Sequence, residues 1–238
     1  ELLFDLGLDS EVVGITKFCI HPKAWFKTKT RVGGTKNLNM KTIHALEPDL
    51  IIANKEENLK EQIEELSRNY DIWVTDVNTL GDATQMIQDI GEITYKEEIA
   101  YTLQKYILQK FVSLRKKTEQ NKKIRAAYFI WKDPYMVAAG ETFINNLLPY
   151  CGVDNIFSNE TRYPEIELKS LTVKKCALIL LSSEPYPFKE KHQKDMEELL
   201  PGVPVLLVDG EMFSWYGSRL SKAAAYLEKL KEQLVSLT

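Results

Sequence analysis

The sequence predicts an α/β fold of two lobes with parallel sheets, joined by one long helix that acts as a rigid backbone. Short aliphatic runs alternate with amphipathic segments, which is typical of parallel strands connected by helices. One segment, from Thr94 to about Asn121, contains neither glycine nor proline and separates the strands into two groups. We therefore expect an N-terminal lobe at residues 1–93, a connecting helix at 94–121 and a C-terminal lobe at 122–238.

Six short aliphatic runs are the candidate buried strands. They are Val12–Thr16, Leu50–Ala53, Ile72–Thr75, Ala126–Trp131, Ala177–Ser182 and Val205–Val208. Six amphipathic segments between them are the candidate helices, namely Met40–Leu46, Leu59–Ser67, Leu80–Ile90, Thr142–Tyr150, Lys189–Leu200 and Arg219–Leu234. The opening residues continue an apolar helical pattern that ends at Gly7.

The long central segment has two interpretations. It is either one more crossover helix within a single sheet or a bridge between two lobes. Because the strands group on either side of it, we favour the bridge. A rigid bridge predicts small closure motions around a ligand cleft between the lobes.

Composition excludes several classes of protein. The net charge of -3, from 31 basic and 34 acidic residues, argues against nucleic-acid binding. No apolar run approaches the roughly 20 residues of a membrane-spanning helix. The cysteines Cys19, Cys151 and Cys176 form no CxxC pair, so neither a zinc site nor a disulfide framework is indicated.

Aromatic residues are concentrated just after the predicted strands, where parallel α/β sheets bind their ligands. Trp25, Trp131 and Trp215 lie in these segments, whereas Trp73 lies inside a strand and is expected in the core. Such aromatics either cap the core at the sheet edge or form a platform for a large, flat ligand. As a set they favour the platform.

Catalytic motifs are absent from the sequence. There is no GxSxG, HExxH, Walker A or GxGxxG pattern, and Gly33-Gly34 is interpreted as a plain turn. His21 together with Glu57 or Asp209 leaves direct metal binding open as an alternative. We expect a binding protein without a catalytic residue, a cofactor or a metal site of its own.

Several quoted segments resemble one known family. The stretches VGG…N…IHALEPDLIIA, TDVNTLGDATQMIQDIG, PYMVAAGETFINNLLPYCGVDNIFSN, YPEIELKSL and ALILLSSEPYPF are similar to cluster III periplasmic substrate-binding proteins, the iron–siderophore, haem and vitamin B12 receptors of ABC importers. The resemblance spans nearly the whole chain and is strongest to vitamin B12-binding proteins. It implies two Rossmann-like lobes and capture of a metal–organic complex, such as cobalamin or a ferric siderophore, by a monomer in the periplasm or cell envelope. It also leads us to expect that the family's first strand precedes Glu1.

The resemblance and the positions at strand ends together give a candidate ligand-binding set. Its members are Phe18, Trp25, Trp131, Tyr135, Tyr163 and Trp215 as stacking residues, with Lys17, Lys36 and Arg219 for carboxylates or phosphate of the ligand. The aromatic that the family usually carries after Gly-Gly is Thr35 in this chain.

The positions expected to dock onto the transporter carry an unexpected charge. Each lobe of the family usually presents a glutamate to arginines of the membrane subunits, and these positions are Lys41 and Lys169 here. Like charges facing each other would repel. Either Glu47 and Glu167 take this role, or the transporter surface differs, or the chain is a transporter-independent corrinoid or metal-complex sensor. An enzyme, metallochaperone or other direct metal-binding protein of the same fold using His21 is the competing class.

Overall fold

A computed structural model describes residues 1–119 and 122–236, and the chain divides into two compact units. The N-terminal unit comprises Glu1–Val77 with Met86–Tyr101, and the C-terminal unit comprises Asn78–Gln85 with Thr102–Thr238. Each unit is described by itself below.

The N-terminal unit contains three small pairs of strands. β1 (Gly14–Ile15) pairs in parallel with β2 (Thr30–Arg31), β3 (Gly33–Gly34) forms an antiparallel hairpin with β4 (Asn37–Leu38), and β5 (Leu50–Asn54) pairs in parallel with β6 (Asp71–Thr75). The helices of this part of the chain are α1 (Leu2–Asp5), α2 (Lys23–Thr28), α3 (Met40–Leu46) and α4 (Lys60–Leu66).

Two details of this unit differ from the sequence-based expectations. Gly33-Gly34, predicted as a plain turn, is a hairpin strand. Gly33 has φ +98°, and a Cβ there would lie 2.4 Å from the Asn37 carbonyl oxygen, so glycine is required. Trp73 in β6, predicted as a core residue, is only half-buried.

Two of the boundaries between the units fall within two consecutive helices. These helices are α5 (Leu80–Ile93) and α6 (Glu97–Thr118). The predicted helix start at Thr94 is wrong, because Tyr95 adopts a left-handed φ of 57° between the two helices. The predicted end at residue 121 lies outside the described residues. α6 buries Ile107, Phe111 and Leu114, three of the apolar residues at helical spacing.

The C-terminal unit is built on one five-stranded sheet. Its strands are β7 (Ile124–Trp131), β8 (Met136–Val137), β9 (Val153–Asn155), β10 (Leu178–Ser182) and β11 (Val205–Val208). They follow the order β11-β10-β7-β8, with β9 also on β7, and every pairing except β7–β8 is parallel. The helices are α7 (Phe143–Leu147), α8 (Lys169–Val173), α9 (Glu190–Leu199), α10 (Glu211–Ser214) and α11 (Leu220–Val235), and a 3₁₀ turn spans Leu148–Cys151.

The burial of β10 shows why its sequence is uniformly aliphatic. All five residues of β10 are buried, as expected for a strand between two neighbours and covered on both faces. Its Ile179 and Leu181 pack with Ala127 and Phe129 of β7 in the core. The predicted α/β fold with parallel sheets and a long helix is confirmed.

Candidate functional site

The most organised polar cluster of the C-terminal unit lies where β10 and β11 end. These strands are parallel neighbours, so their carboxyl ends meet at one edge of the sheet. Glu184 follows β10, and Trp215 follows the short helix α10 after β11. The Trp215 indole N–H donates to Glu184 Oε1 at 2.8 Å, and the Ser214 hydroxyl donates to the same oxygen at 2.5 Å.

The environment of Glu184 favours its neutral form. Burial raises the pKa of this carboxyl, and the nearby Glu211 and Asp209 carboxylates raise it further, while the hydrogen bonds from Ser214 and Trp215 oppose this shift. The side chain is therefore a partly desolvated acceptor held by two donors.

Arg219 lies over the ring of Trp215. Its guanidinium carbon lies 5.0 Å from the ring centroid of Trp215, within cation–π range. The guanidinium also forms an ion pair with Glu211 at 2.6 Å, and Arg219 is only 6% exposed. Arg219 thus has an acidic partner within its own unit, and its contact with a carboxylate of the ligand stays a prediction.

A second aromatic group lies at the end of β7 and just after it. Trp131 is 39% exposed and makes an edge contact with Tyr186 at 5.6 Å between ring centroids. Tyr135, which is half-buried, makes a similar contact with Phe129 at 5.6 Å. Burial raises the pKa of the Tyr135 hydroxyl, so it stays a neutral hydrogen-bonding group. Trp131 is therefore partly exposed, and its role as a platform residue stays a prediction.

The remaining aromatic of this unit in the candidate set is Tyr163. It is half-buried, and the guanidinium of the preceding Arg162 lies 6.0 Å from its ring centroid. The Ala139 N–H donates to the Arg162 carbonyl oxygen at 2.8 Å, which ties this loop to the segment after β8.

In the N-terminal unit, Phe18 is an exposed aromatic residue of the candidate set. It is 55% exposed, and the Lys17 ammonium lies 5.0 Å from its ring centroid. The nearby hairpin carries Thr35, whose carbonyl oxygen accepts from the Asn58 side chain at 2.9 Å, and the exposed Lys36. Phe18, Lys17 and Lys36 therefore remain accessible within their unit.

Trp25 is placed differently from its prediction. Its side chain is only 4% exposed, its indole N–H donates to Asp9 Oδ1, and its ring makes a T-shaped contact with Phe4 at 5.4 Å. A stacking contact needs an accessible face, and this ring is packed inside the N-terminal unit. The structure thus assigns Trp25 to the packing of that unit.

The two predicted docking lysines lie in the first turns of α3 and α8, and both are exposed. The Lys169 ammonium pairs with Glu167 at 2.5 Å, and this contact raises the pKa of the lysine. Glu47, the other proposed substitute, is exposed just after α3. Lys169 and Glu167 therefore form an exposed ion pair.

Neither a metal cluster nor a membrane-spanning helix is found in the described part of the chain. No group of three or more His, Cys, Asp and Glu side chains converges there. No helix among the described residues is long and apolar enough to cross a bilayer.

Sequence reasoning missed Glu184 and Ser214. The segment after β10 was singled out for its aromatic residues, although a carboxylate beside the end of a buried strand is itself a signal. Its partnership with Trp215 depends on the parallel pairing of β10 and β11 (Ile179 to Val205, for example), which the sequence does not display.

Comparisons with known proteins agree with this architecture. A vitamin B12-binding protein from Vibrio vulnificus is 23% identical over 184 residues, which cover 76% of this chain and 67% of the relative. The crystal structure of the periplasmic vitamin B12-binding protein BtuF of Vibrio cholerae has a TM-score of 0.81 at 20% identity, covering 98% of this chain and 92% of that one. The periplasmic haem-binding protein HutB of Vibrio cholerae has a TM-score of 0.80 at 18% identity, covering 98% and 94%.

A family-level match accompanies these likenesses. A sequence model of the periplasmic binding proteins matches residues 1–200. The chain therefore belongs to the periplasmic binding protein family, whose members are substrate-binding proteins of ABC importers and not enzymes.

Proposed function

We propose that this protein captures a metal–organic complex of the cobalamin, haem or ferric siderophore class and delivers it to an ABC importer. The names of its relatives support this ligand class, since they include vitamin B12-binding and haem-binding proteins. The metal enters only as part of the ligand, and the protein grips the organic shell. The site of action is the periplasm or cell envelope, and the protein acts as a monomer.

The observation that carries the proposal is the placement of Trp215. It is half-buried, it lies at the carboxyl edge of a parallel sheet, and a carboxylate and a guanidinium fix its ring. A fixed aromatic face buries much ligand area at little cost in conformational entropy. Trp131, Tyr135 and Tyr163 in the same unit, and Phe18 in the N-terminal unit, supply further aromatic contacts, with Lys17 and Lys36 available for anionic groups of the ligand.

A transporter-independent binding protein or sensor is the second candidate. The observation that favours it is the charge at the two docking positions, Lys41 and Lys169, where a transporter arginine would meet a like charge. Co-purification with the membrane subunits of a neighbouring importer decides between the two candidates. Binding that is lost in Glu167→Lys and Glu47→Lys supports docking through these carboxylates.

A ligand panel tests the proposed function. The protein is titrated by calorimetry with cyanocobalamin, haemin and a ferric siderophore, and in parallel with Zn²⁺, Mn²⁺ and Fe²⁺ salts. We expect saturable binding of one of the complexes and only weak binding of the bare ions, because few metal-ligating side chains converge in the part of the chain that the structure describes. Tight binding of a bare ion that is lost in His21→Ala would instead establish a direct metal-binding protein.

A further inference from the structure

The carboxylate of Glu184 contacts two neighbouring side chains. One carboxylate oxygen, Oε1, accepts both the indole N–H of Trp215 and the hydroxyl of Ser214, the residue before it in sequence. The carboxylate therefore acts on two consecutive residues at the end of α10.

The backbone around Glu184 is itself fixed. The Ser182 hydroxyl donates to the Glu184 carbonyl oxygen at 2.6 Å, and the Tyr128 hydroxyl lies 3.1 Å from the same Ser182 oxygen. The Gly210 N–H donates to the Ser183 hydroxyl at 2.9 Å, which ties the segment after β11 to the segment after β10. Both ends of the contact between Glu184 and Trp215 are thus anchored to the sheet.

The close approach of these two segments depends on a glycine. A Cβ built on Gly210 would lie 2.4 Å from Ser182 Oγ and 2.5 Å from Glu184 Cγ. Glu184 consequently occupies the space that any other residue at position 210 would fill. The absence of a side chain there lets the carboxylate reach the tryptophan.

The second group that contacts the Trp215 indole is Arg219. Its guanidinium lies 5.0 Å from the Trp215 ring centroid and pairs with Glu211 in the first turn of α10. The indole is consequently held at its N–H by a carboxylate and over its ring by a guanidinium. Neither group needs to touch a ligand to affect binding.

We propose that Glu184 is a positioning residue that fixes the orientation of the Trp215 ring for stacking on the bound ligand. This inference rests on the proposed function, and it adds a residue that determines ligand affinity without contacting the ligand. Losing the carboxylate removes one of the two supports of the indole, so the ligand must then order the ring further on binding.

The first test needs no ligand. In ¹⁵N-labelled protein the indole N–H resonance of Trp215 is assigned by its loss in Trp215→Phe. We expect Glu184→Ala to shift this resonance upfield and to speed its exchange with water, and Glu184→Gln to restore much of the slow exchange, because its amide oxygen still accepts a hydrogen bond. Glu198→Ala, which removes an exposed glutamate of α9, is the matched control and should leave the resonance unchanged.

The second test is a double-mutant cycle for binding of whichever complex in the panel the wild-type protein binds. We expect Glu184→Ala to weaken binding about tenfold, the scale of one hydrogen bond to a charged group. In a Trp215→Ala background the same substitution should have almost no further effect. A residue with a merely structural role would weaken binding equally in both backgrounds, and that result would overturn the proposal.

The outcomes separate this inference from the proposed function. If the wild-type protein binds none of the complexes, the proposed function fails, and with it the ligand part of the inference. If it binds a complex but the indole resonance is unaltered in Glu184→Ala, the inference alone is overturned. Thermal melts of both Glu184 variants verify that each is folded before either result is interpreted.

Discussion

Trp25 of the N-terminal unit and Trp215 of the C-terminal unit have almost the same kinds of partner. The indole N–H of each donates to a carboxylate, Asp9 for Trp25 and Glu184 for Trp215. A cation lies over each ring, the Lys29 ammonium at 5.1 Å from one centroid and the Arg219 guanidinium at 5.0 Å from the other.

The two sites differ in which member of the group is buried. Trp25 is only 4% exposed, whereas the side chain of Asp9 is 75% exposed. At the other site the ring is half-buried, while Arg219 is only 6% exposed. In the first group a buried ring lies beside an exposed carboxylate and a lysine whose side chain is only 17% exposed, and in the second a buried guanidinium lies over a half-buried ring.

This difference separates a core residue from the proposed binding residue better than the contacts of each ring do. Desolvation sets the energetic value of each partner, because an exposed ion pair is screened by water and a buried one is not. The exposed Asp9 carboxylate therefore contributes little compared with the burial of the Trp25 ring. In our proposal, the partners of Trp215 hold its ring in one orientation.

Of the substitutions that test this comparison, Trp25→Ala should cause the largest loss of stability. Removing a buried aromatic side chain should lower the free energy of unfolding by about 3–5 kcal/mol. Urea denaturation measures this loss, with Trp25→Phe as the control that retains most of the volume. If Trp25→Ala leaves stability unchanged but abolishes ligand binding, its assignment to packing is wrong.

Gly210→Ala should have the next largest effect. The added methyl group would overlap Ser182 and Glu184, so we expect a loss of about 1–3 kcal/mol of stability, the range for overpacked sites. Gly202→Ala offers a comparison in which a Cβ meets nothing within 4 Å but a φ of +87° is strained. Equal stability of Gly210→Ala and the wild-type protein would show that the two segments can separate freely.

Titration of Glu184 should change the stability of the fold by a smaller amount, and this change tests the environment of Trp215. Burial raises the folded-state pKa of Glu184 above its ordinary value. The folded state then binds more protons than the unfolded state between the two pKa values, so this group destabilises the fold as pH rises through that window. Relative to Glu184→Gln, the wild-type protein should therefore gain stability as pH falls from 7 to about 4. Denaturation curves at several pH values measure this, and the opposite slope would mean that the hydrogen bonds outweigh burial.

Much of the fold was predictable from the sequence because periodic burial sets it. Val205–Val208 and Met40–Leu46 coincide with observed elements, since an aliphatic strand and an amphipathic helix each carry their own pattern. The short strands β3, β8 and β9 were not predicted. Each is only two or three residues long and is defined by its partner rather than by its own sequence.

The candidate site was predictable only in part. The positions of Trp131 and Trp215 after strands followed from the alternation of elements. The burial of Trp25 did not, because it depends on packing against Phe4, which is distant in sequence. The ion pair of Arg219 with Glu211 also escaped prediction, since a charge near a strand end indicates a ligand contact equally well until its partner is known.

The most direct test of the central claim is ligand titration of Trp215→Ala beside its urea denaturation curve. We predict that the variant loses about tenfold or more in affinity for the bound metal–organic complex. Its free energy of unfolding should fall by no more than about 1 kcal/mol, because the ring is partly solvated in the wild-type protein. A variant that unfolds as readily as Trp25→Ala, or one that binds the complex with wild-type affinity, would contradict the assignment of Trp215 as the binding platform.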